Sequence, residues 1–379
     1  MARIYLDHHA TTPCDPRVVQ AMLPYFTEKF GNAASRDHAF GREAAEAVEK
    51  ARRQVAALIG ADESEIVFTS GATEGDNLAI LGAPPGHVVT AATEHKAVLD
   101  PCKVRDATVL PVDRHGRVDP ADVEKAITDR TTLVSIMSAN NEIGTIGPVA
   151  EIGKVCAARG VLFHTDAAQA AGRVPIDVRA TDVHLMSLSA HKLYGPKGVG
   201  ALYVRKRKPR VKLSPILHGG GHEQGLRSGT LPVPLIVGFG EACAIAAREM
   251  PEESERLLAL RERLRAGLFA RLDCVTLNGH PELRLPGNLH VSIAYIEADG
   301  LIAALPEIAV SSGAACTTAT AEPSHVLKAI GVSEDLAHNS VRFGIGRFNT
   351  DREIDITVER MVAAVKRLRE LSPLYPRRP

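Results

Sequence analysis

The chain has 379 residues, enough for about two domains of roughly 150 residues each and for a core that needs neither disulfides nor a structural metal. Its 45 Lys and Arg balance its 45 Asp and Glu, which favours neither nucleic acid nor an anionic membrane as the main partner. No run approaches the ~18 apolar residues of a membrane span, and residues 1–13 lack the apolar stretch of a secretory signal, so a cytoplasmic protein is expected.

In chain order, short apolar runs at Glu65–Thr69, His87–Ala91, Thr108–Leu110, Thr132–Met137, Val161–His164, Val183–Leu188 and Gly200–Val204 read as strands. Runs of this kind suit a mostly parallel sheet covered on both faces. Between them, Arg42–Ile59 repeats Ala44, Val48, Ala51, Val55 and Ile59 on one helical face and stops at Gly60. Glu151–Arg159 followed by Gly160 is a second helix of this type. The alternation predicts an α/β fold, with a mostly parallel central sheet of about seven strands and helices on both faces. Ligands in such a sheet sit at the carboxyl ends of the strands. The pattern changes after residue ~235. Pro251 is predicted to open a helix over Glu252–Leu272, with Leu257, Leu260, Leu264 and Leu268 on one face. The predicted domains are an arm, 1–14, packing on the small domain, a large domain, 15–249, and a smaller α+β domain, 250–379.

Three segments carry chemistry. In Ser187-Leu-Ser-Ala-His-Lys192, a lysine stands just past a strand's carboxyl end. Its neutral amine can form a Schiff base with an aldehyde cofactor, although most lysines are simply solvated. In Val161-Leu-Phe-His-Thr-Asp166, an apolar strand ends in a carboxylate 26 positions earlier. Such a group keeps a pyridine nitrogen protonated; a helix N-cap is the plainer reading. His164-x-Asp166 also admits metal ligation, but no third ligand has matching spacing. In Phe68-Thr-Ser-Gly71-Ala72-Thr73-Glu74, a turn opens a helix whose amides can face a phosphate. It is neither a Walker A sequence nor the glycine fingerprint of nicotinamide-binding folds.

These segments, with others, resemble the cysteine desulfurases, a branch of the class-V aminotransferases among fold-type-I pyridoxal-phosphate enzymes. The matches run from Tyr5-Leu-Asp-His-His-Ala-Thr-Thr-Pro13 to Arg342-Phe-Gly-Ile-Gly-Arg347. Between them lie Thr93-Glu-His95, Ala139-Asn-Asn141-Glu-Ile-Gly-Thr, Asp166-Ala-Ala-Gln169, Ser189-Ala-His-Lys192 and Gly219–Thr230. Ser311-Ser-Gly-Ala-Ala-Cys316 resembles the loop of the housekeeping, iron–sulfur assembly and nitrogenase-associated branch.

The resemblance implies that Lys192 holds pyridoxal 5'-phosphate as an internal aldimine. Asp166 would pair with the ring nitrogen, and His95 would stack on the ring and shuttle protons. Gln169 and Asn141 would lie near the phenolic oxygen or the substrate. Ala72, Thr73, Ser189 and His191 would bind the phosphate, joined by Thr230 from the other chain of a homodimer. Arg342, with Asn32 and Asn141, would bind L-cysteine. Cys316 would be the nucleophile that carries sulfur as a persulfide, the other product being L-alanine. No resident metal is implied, with transient iron–sulfur ligation at Cys316 left open. The implied acceptor is an iron–sulfur scaffold or another sulfur carrier; no direct nucleic-acid or membrane partner is implied. A selenocysteine lyase or an aminotransferase on the same scaffold is the alternative, distinguished by the Cys316 loop, because transamination needs no thiol.

Cys156, Cys243 and Cys274 read as packing thiols, while Cys14 and Cys102 sit beside prolines. Three features depart from the usual pattern: Ala33-Ala34-Ser35 near the substrate entrance, the His8-His9 pair, and Gly344. Adjacent residues of an extended arm point opposite ways, so the His pair is expected to be structural.

Overall fold

The computed structural model describes residues 3–312, 323–373 and 375–376. After a short β1 (Ile4–Tyr5), the seven apolar runs become β2 (Ile66–Thr69), β3 (His87–Ala91), β4 (Ala107–Leu110), β5 (Thr131–Ser135), β6 (Leu162–Asp166), β7 (Leu185–Ser189) and β8 (Gly200–Val204). They form one seven-stranded sheet, ordered β2-β8-β7-β6-β5-β3-β4. Only β8 is reversed, antiparallel to both β2 and β7. Every residue of β2, β3, β7 and β8 is buried, as helices on both faces require. The helix Ala39–Ile59 lays Ala44, Val48, Ala51, Val55 and Ile59 into this core. It ends at Gly60, whose φ of 71° favours a residue without a β-carbon.

A single helix, Val233–Phe269, spans 37 residues, and Pro251 lies inside it rather than opening it. Its first half packs Ile236, Phe239 and Cys243 into the large core, and its second half packs Leu257, Leu260, Leu264 and Leu268 into another. With apolar anchors on both sides, the exposed Pro251 costs a backbone hydrogen bond without ending the helix. Local composition alone reads that proline as a start signal.

The second core lies against a four-stranded antiparallel sheet. Its strands come from β9 (Val275–Leu277), β10 (Asn288–Ile293), β12 (Ser311–Ser312) and β13 (Ser340–Gly344), in the order β12-β13-β10-β9. The helix Asp351–Leu371 covers it with Ile354, Val358, Met361 and Val365, and Thr350 and Glu353 close a capping box at its start. Each leucine buried here contributes on the order of 1.5–3 kcal/mol. The N-terminal arm touches both parts of the fold. β1 pairs in parallel with β11 (Ile308–Ala309), and Thr12 Oγ1 then donates to the His191 carbonyl at 3.0 Å.

Candidate active site

The carboxyl ends of β2, β5, β6 and β7 open onto one cavity of about 470 Å³. Thr73, His95, Asn141, Asp166, Gln169, Ser189, His191 and Lys192 all line it, with Ala72 at the first helical position. These side chains come from segments more than 100 residues apart, and the sheet order makes them neighbours.

Lys192 is half-buried at the end of the short turn after β7, and its Nζ donates to the carbonyls of His9 and Ala10 at 2.7 and 2.8 Å. Burial, reinforced by Arg173 and Arg342, brings its pKa down to about 8, against the pull of Asp166 and Asp7. The amine is therefore neutral in a useful fraction near neutral pH. Asp166 ends β6 and accepts the Ala168 amide at 2.8 Å, so it does cap the following turn. Burial raises its pKa, while His95 and Lys192 lower it. A carboxylate this enclosed is stabilised by a cationic partner in the cavity, as a protonated ring nitrogen would be.

His95 caps the helix Lys96–Cys102 by accepting the Ala97 amide on Nδ1 at 3.1 Å, which puts its proton on Nε2. Its ring is open to the cavity, yet desolvation lowers its pKa, opposed by Asp166. His191 shares Nδ1 with Thr11 Oγ1 at 3.0 Å and is pushed down to about 4 by burial and then by Lys192, so it too is neutral.

The turn between β2 and the helix Ala72–Gly82 presents the first amides of an 11-residue helix to the same space. Gly200 makes this approach possible: a β-carbon there would lie 2.6 Å from Gly71 Cα and 2.3 Å from the Leu188 carbonyl oxygen. Ser189, from the end of β7, and Thr73 add hydroxyls. Glu74 accepts the Ser70 amide at 2.8 Å and pairs with Arg227 Nε at 2.9 Å, which fastens the Gly-rich loop to the turn.

Arg342 does not line the cavity but borders it. Its NH1 donates to the Asn141 carbonyl at 2.9 Å, and its NH2 to Asp7 Oδ1 at 2.8 Å and Ser311 Oγ at 3.1 Å. Nε–H is buried with no partner among the described residues. Of the adjacent asparagines, Asn140 is the turn residue, its side-chain oxygen accepting the Glu142 and Ile143 amides, and Asn141 faces the cavity. Gln169 is engaged with the arm as well: its Nε2 donates to the His9 carbonyl at 2.9 Å.

Two expected residues are not brought in. Asn32 is exposed and accepts the Ala34 amide at 2.9 Å, and Thr230 is exposed on its loop; neither lines the cavity within this chain. Cys316 lies outside the described residues. The metal reading at His164 loses its donors. His164 has both ring nitrogens on serine hydroxyls, Ser135 at 2.8 Å and Ser187 at 3.0 Å. His8 Nδ1 donates to the Gly344 carbonyl, while His9 turns toward Gln169 and Arg173. Cys274 is exposed at a φ of 51°, not packed; Cys102, Cys156 and Cys243 are buried, with burial raising each thiol. Thr11, Asp76 and Lys197 also line the cavity; the sequence reading assigned them no role.

Residues 4–357 match the family described as aminotransferase class-V. A relative from Anaeromyxobacter sp. (strain Fw109-5), a cysteine desulfurase IscS, is 58% identical over 98% of this chain and 95% of its own length. The chain belongs to the cysteine desulfurase family. Solved structures agree. A NifS-like protein superimposes with a TM-score of 0.89 at 37% identity, covering 96% of this chain and 99% of that one. SspA in complex with cysteine does so with a TM-score of 0.80 at 36% identity, covering 92% and 100%. Enzymes of this family depend on pyridoxal phosphate. The cavity suits it, with an amine for the aldehyde, a buried carboxylate short of a cation, and a helix N-terminus with hydroxyls for the phosphate.

Proposed function

We propose that this chain's desulfurase chemistry is carried by Lys192, Asp166, His95, Arg342 and Cys316, and that its sulfur supplies iron–sulfur cluster assembly or another acceptor. The observation that carries this reading is the convergence of a lysine with a lowered pKa, a buried carboxylate and an imidazole on one cavity beside a helix N-terminus. Lys192 would hold the cofactor's aldehyde carbon, Asp166 its ring nitrogen, and the turn at Gly71–Thr73 with Ser189 and His191 its phosphate. When bound, pyridoxal phosphate supplies a ring that accepts negative charge from the substrate's α-carbon.

The protein's own steps follow. Arg342 holds the carboxylate of L-cysteine by a planar fork, beside Asn141. The Lys192 amine takes the proton from the substrate's α-carbon. His95, with its proton on Nε2, exchanges protons at the open face of the cavity. The Cys316 thiolate then attacks the substrate sulfur: a sulfur–sulfur bond forms, the substrate's carbon–sulfur bond breaks, and protons return to the carbon. L-Cysteine and the Cys316 thiol become L-alanine and a persulfide, with atoms and electrons balanced.

The division into an arm, a large domain and a small domain at residues 14 and 249 belongs to this reading, as does a cytoplasmic location. So does a homodimer, in which the exposed Thr230 reaches the phosphate site of the second chain. The decisive experiment is Cys316→Ser. The variant is expected to keep its cofactor colour and its spectral response to cysteine but to release almost no alanine or sulfide. Mass spectrometry of the wild type after brief exposure to cysteine is expected to show one added sulfur on the Cys316 peptide. Wild-type turnover in the variant, or sulfur on exposed Cys274 instead, would overturn the assignment.

A further inference from the structure

A second basic residue stands behind Lys192, and among the described residues no acid forms a salt bridge with it. Arg173 follows the turn after Gln169, is only partly exposed, and spends its guanidinium on uncharged acceptors. NH2 donates to the carbonyls of His8 and Lys192, both at 3.0 Å. NH1 donates to Gln169 Oε1 at 3.0 Å and lies 2.5 Å from His9 Nδ1, which is itself 2.9 Å from the same Gln169 oxygen. Its own carbonyl is held by Ser254 Oγ at 2.9 Å. The acid that acts on it, Glu253, is already paired with Arg347 at 2.8 Å.

The acceptors are not arbitrary. The His8 carbonyl belongs to the stretch of arm whose next two carbonyls, His9 and Ala10, receive the Lys192 amine. One guanidinium thus ties together the backbone of the lysine and the backbone its side chain points at. His9 adds no second charge here, because burial, then Arg173 and Arg342, hold its pKa well below the ordinary imidazole value.

We propose that Arg173 is a positioning residue for Lys192: it clamps the His8 carbonyl to the Lys192 carbonyl and places beside the lysine's amine a positive charge that has no salt bridge among the described residues. The other groups that act on that amine are Asp7 and neutral His9 from the arm, Asp166 from β6, Arg342 from β13, and the neutral His191 and His95 at the cavity wall. Two carboxylates oppose two cations, so removing Arg173 tips the balance toward the protonated state of any basic nitrogen at this position. The inference rests on Lys192 carrying the cofactor.

The test is a pH titration of the holoenzyme's visible cofactor band. In Arg173→Gln the midpoint is expected to rise by about one pH unit, the order for removing a unit charge from a poorly solvated neighbour. Arg173→Lys, which keeps the charge but not the fork, is expected to keep the wild-type midpoint while its melting temperature falls. An unmoved midpoint in folded Arg173→Gln overturns the proposal, and so does a raised midpoint in Arg173→Lys. If Arg173→Gln does not fold, Arg173→Lys decides by the same midpoint. A wild-type protein with no visible band would instead sink the reading of Lys192 itself.

Discussion

If Arg342 holds the substrate's carboxylate as proposed, replacing it by alanine should separate substrate binding from cofactor binding. In the structure the guanidinium is held on three sides, by Asp7, Ser311 and the Asn141 carbonyl, and its side chain is only 8% exposed. A carboxylate that meets it in this setting is poorly hydrated, so the pair is worth more than a surface ion pair. Truncating one member of a buried, hydrogen-bonded charge pair costs ~2–5 kcal/mol, which is about 30- to 5,000-fold in affinity. The KM for L-cysteine is expected to rise by that order. The cofactor band should persist, because Arg342 does not line the cavity. A second effect has a defined sign. Arg342 is one of the cations that lower the Lys192 pKa, so its removal should move that pKa upward. Steady-state alanine formation at saturating cofactor, with absorbance spectra of the same samples, measures both. Arg342→Lys should fall between wild type and alanine, since it keeps the charge and loses the fork. An unchanged KM would refute the reasoning and show that another group holds the carboxylate; loss of the band would show that Arg342 supports the cofactor site instead.

The capture of pyridoxal phosphate by cofactor-free protein should speed up with pH through about 8 and then level off, the Lys192 amine being free above its lowered pKa. At pH 7.5 about a quarter of that amine is neutral, against about 0.1% of an ordinary lysine. A capture rate still climbing above pH 10 would contradict this. Gly200→Ala should weaken cofactor retention, measured by dialysis and absorbance, because its β-carbon meets Gly71 Cα and the Leu188 carbonyl, and backbone there cannot move aside without shifting the phosphate turn. Retention equal to wild type would show that the turn tolerates displacement.

Much of the site is legible in the amino-acid sequence. Lys192, Asp166 and the Gly71–Thr73 turn each sit at a strand's carboxyl end, and the apolar runs that mark those ends are local patterns. The two glycine stops, Gly60 and Gly160, have left-handed φ values of 71° and 65°, a conformation that the residue type itself announces. The seven strands lie within about three residues of their predicted ends because a strand buried on both faces has a continuous apolar signature; the edge strand β4, with Thr108 and Val109 exposed, is the exception and shows only a short run.

What the sequence by itself determined was the alternation of strands and helices and the chemical type of the residues at the strand ends, since both are written over stretches of about ten to twenty residues. Only the tertiary structure decided which distant groups meet. The helix Val233–Phe269 runs through Pro251 because two separate cores grip its two halves. Asn141 rather than Asn140 faces the cavity because Asn140 is spent on its own turn. Asn32 and Thr230 stay outside the cavity of their own chain. Arg342 meets Asp7 across 335 positions, and Arg173 meets His9 across 164. Such pairs leave no periodic trace, because charge and hydrogen bonding act through space at a few ångströms whatever the separation along the chain, and folding of the arm against both sheets is what brings them within reach.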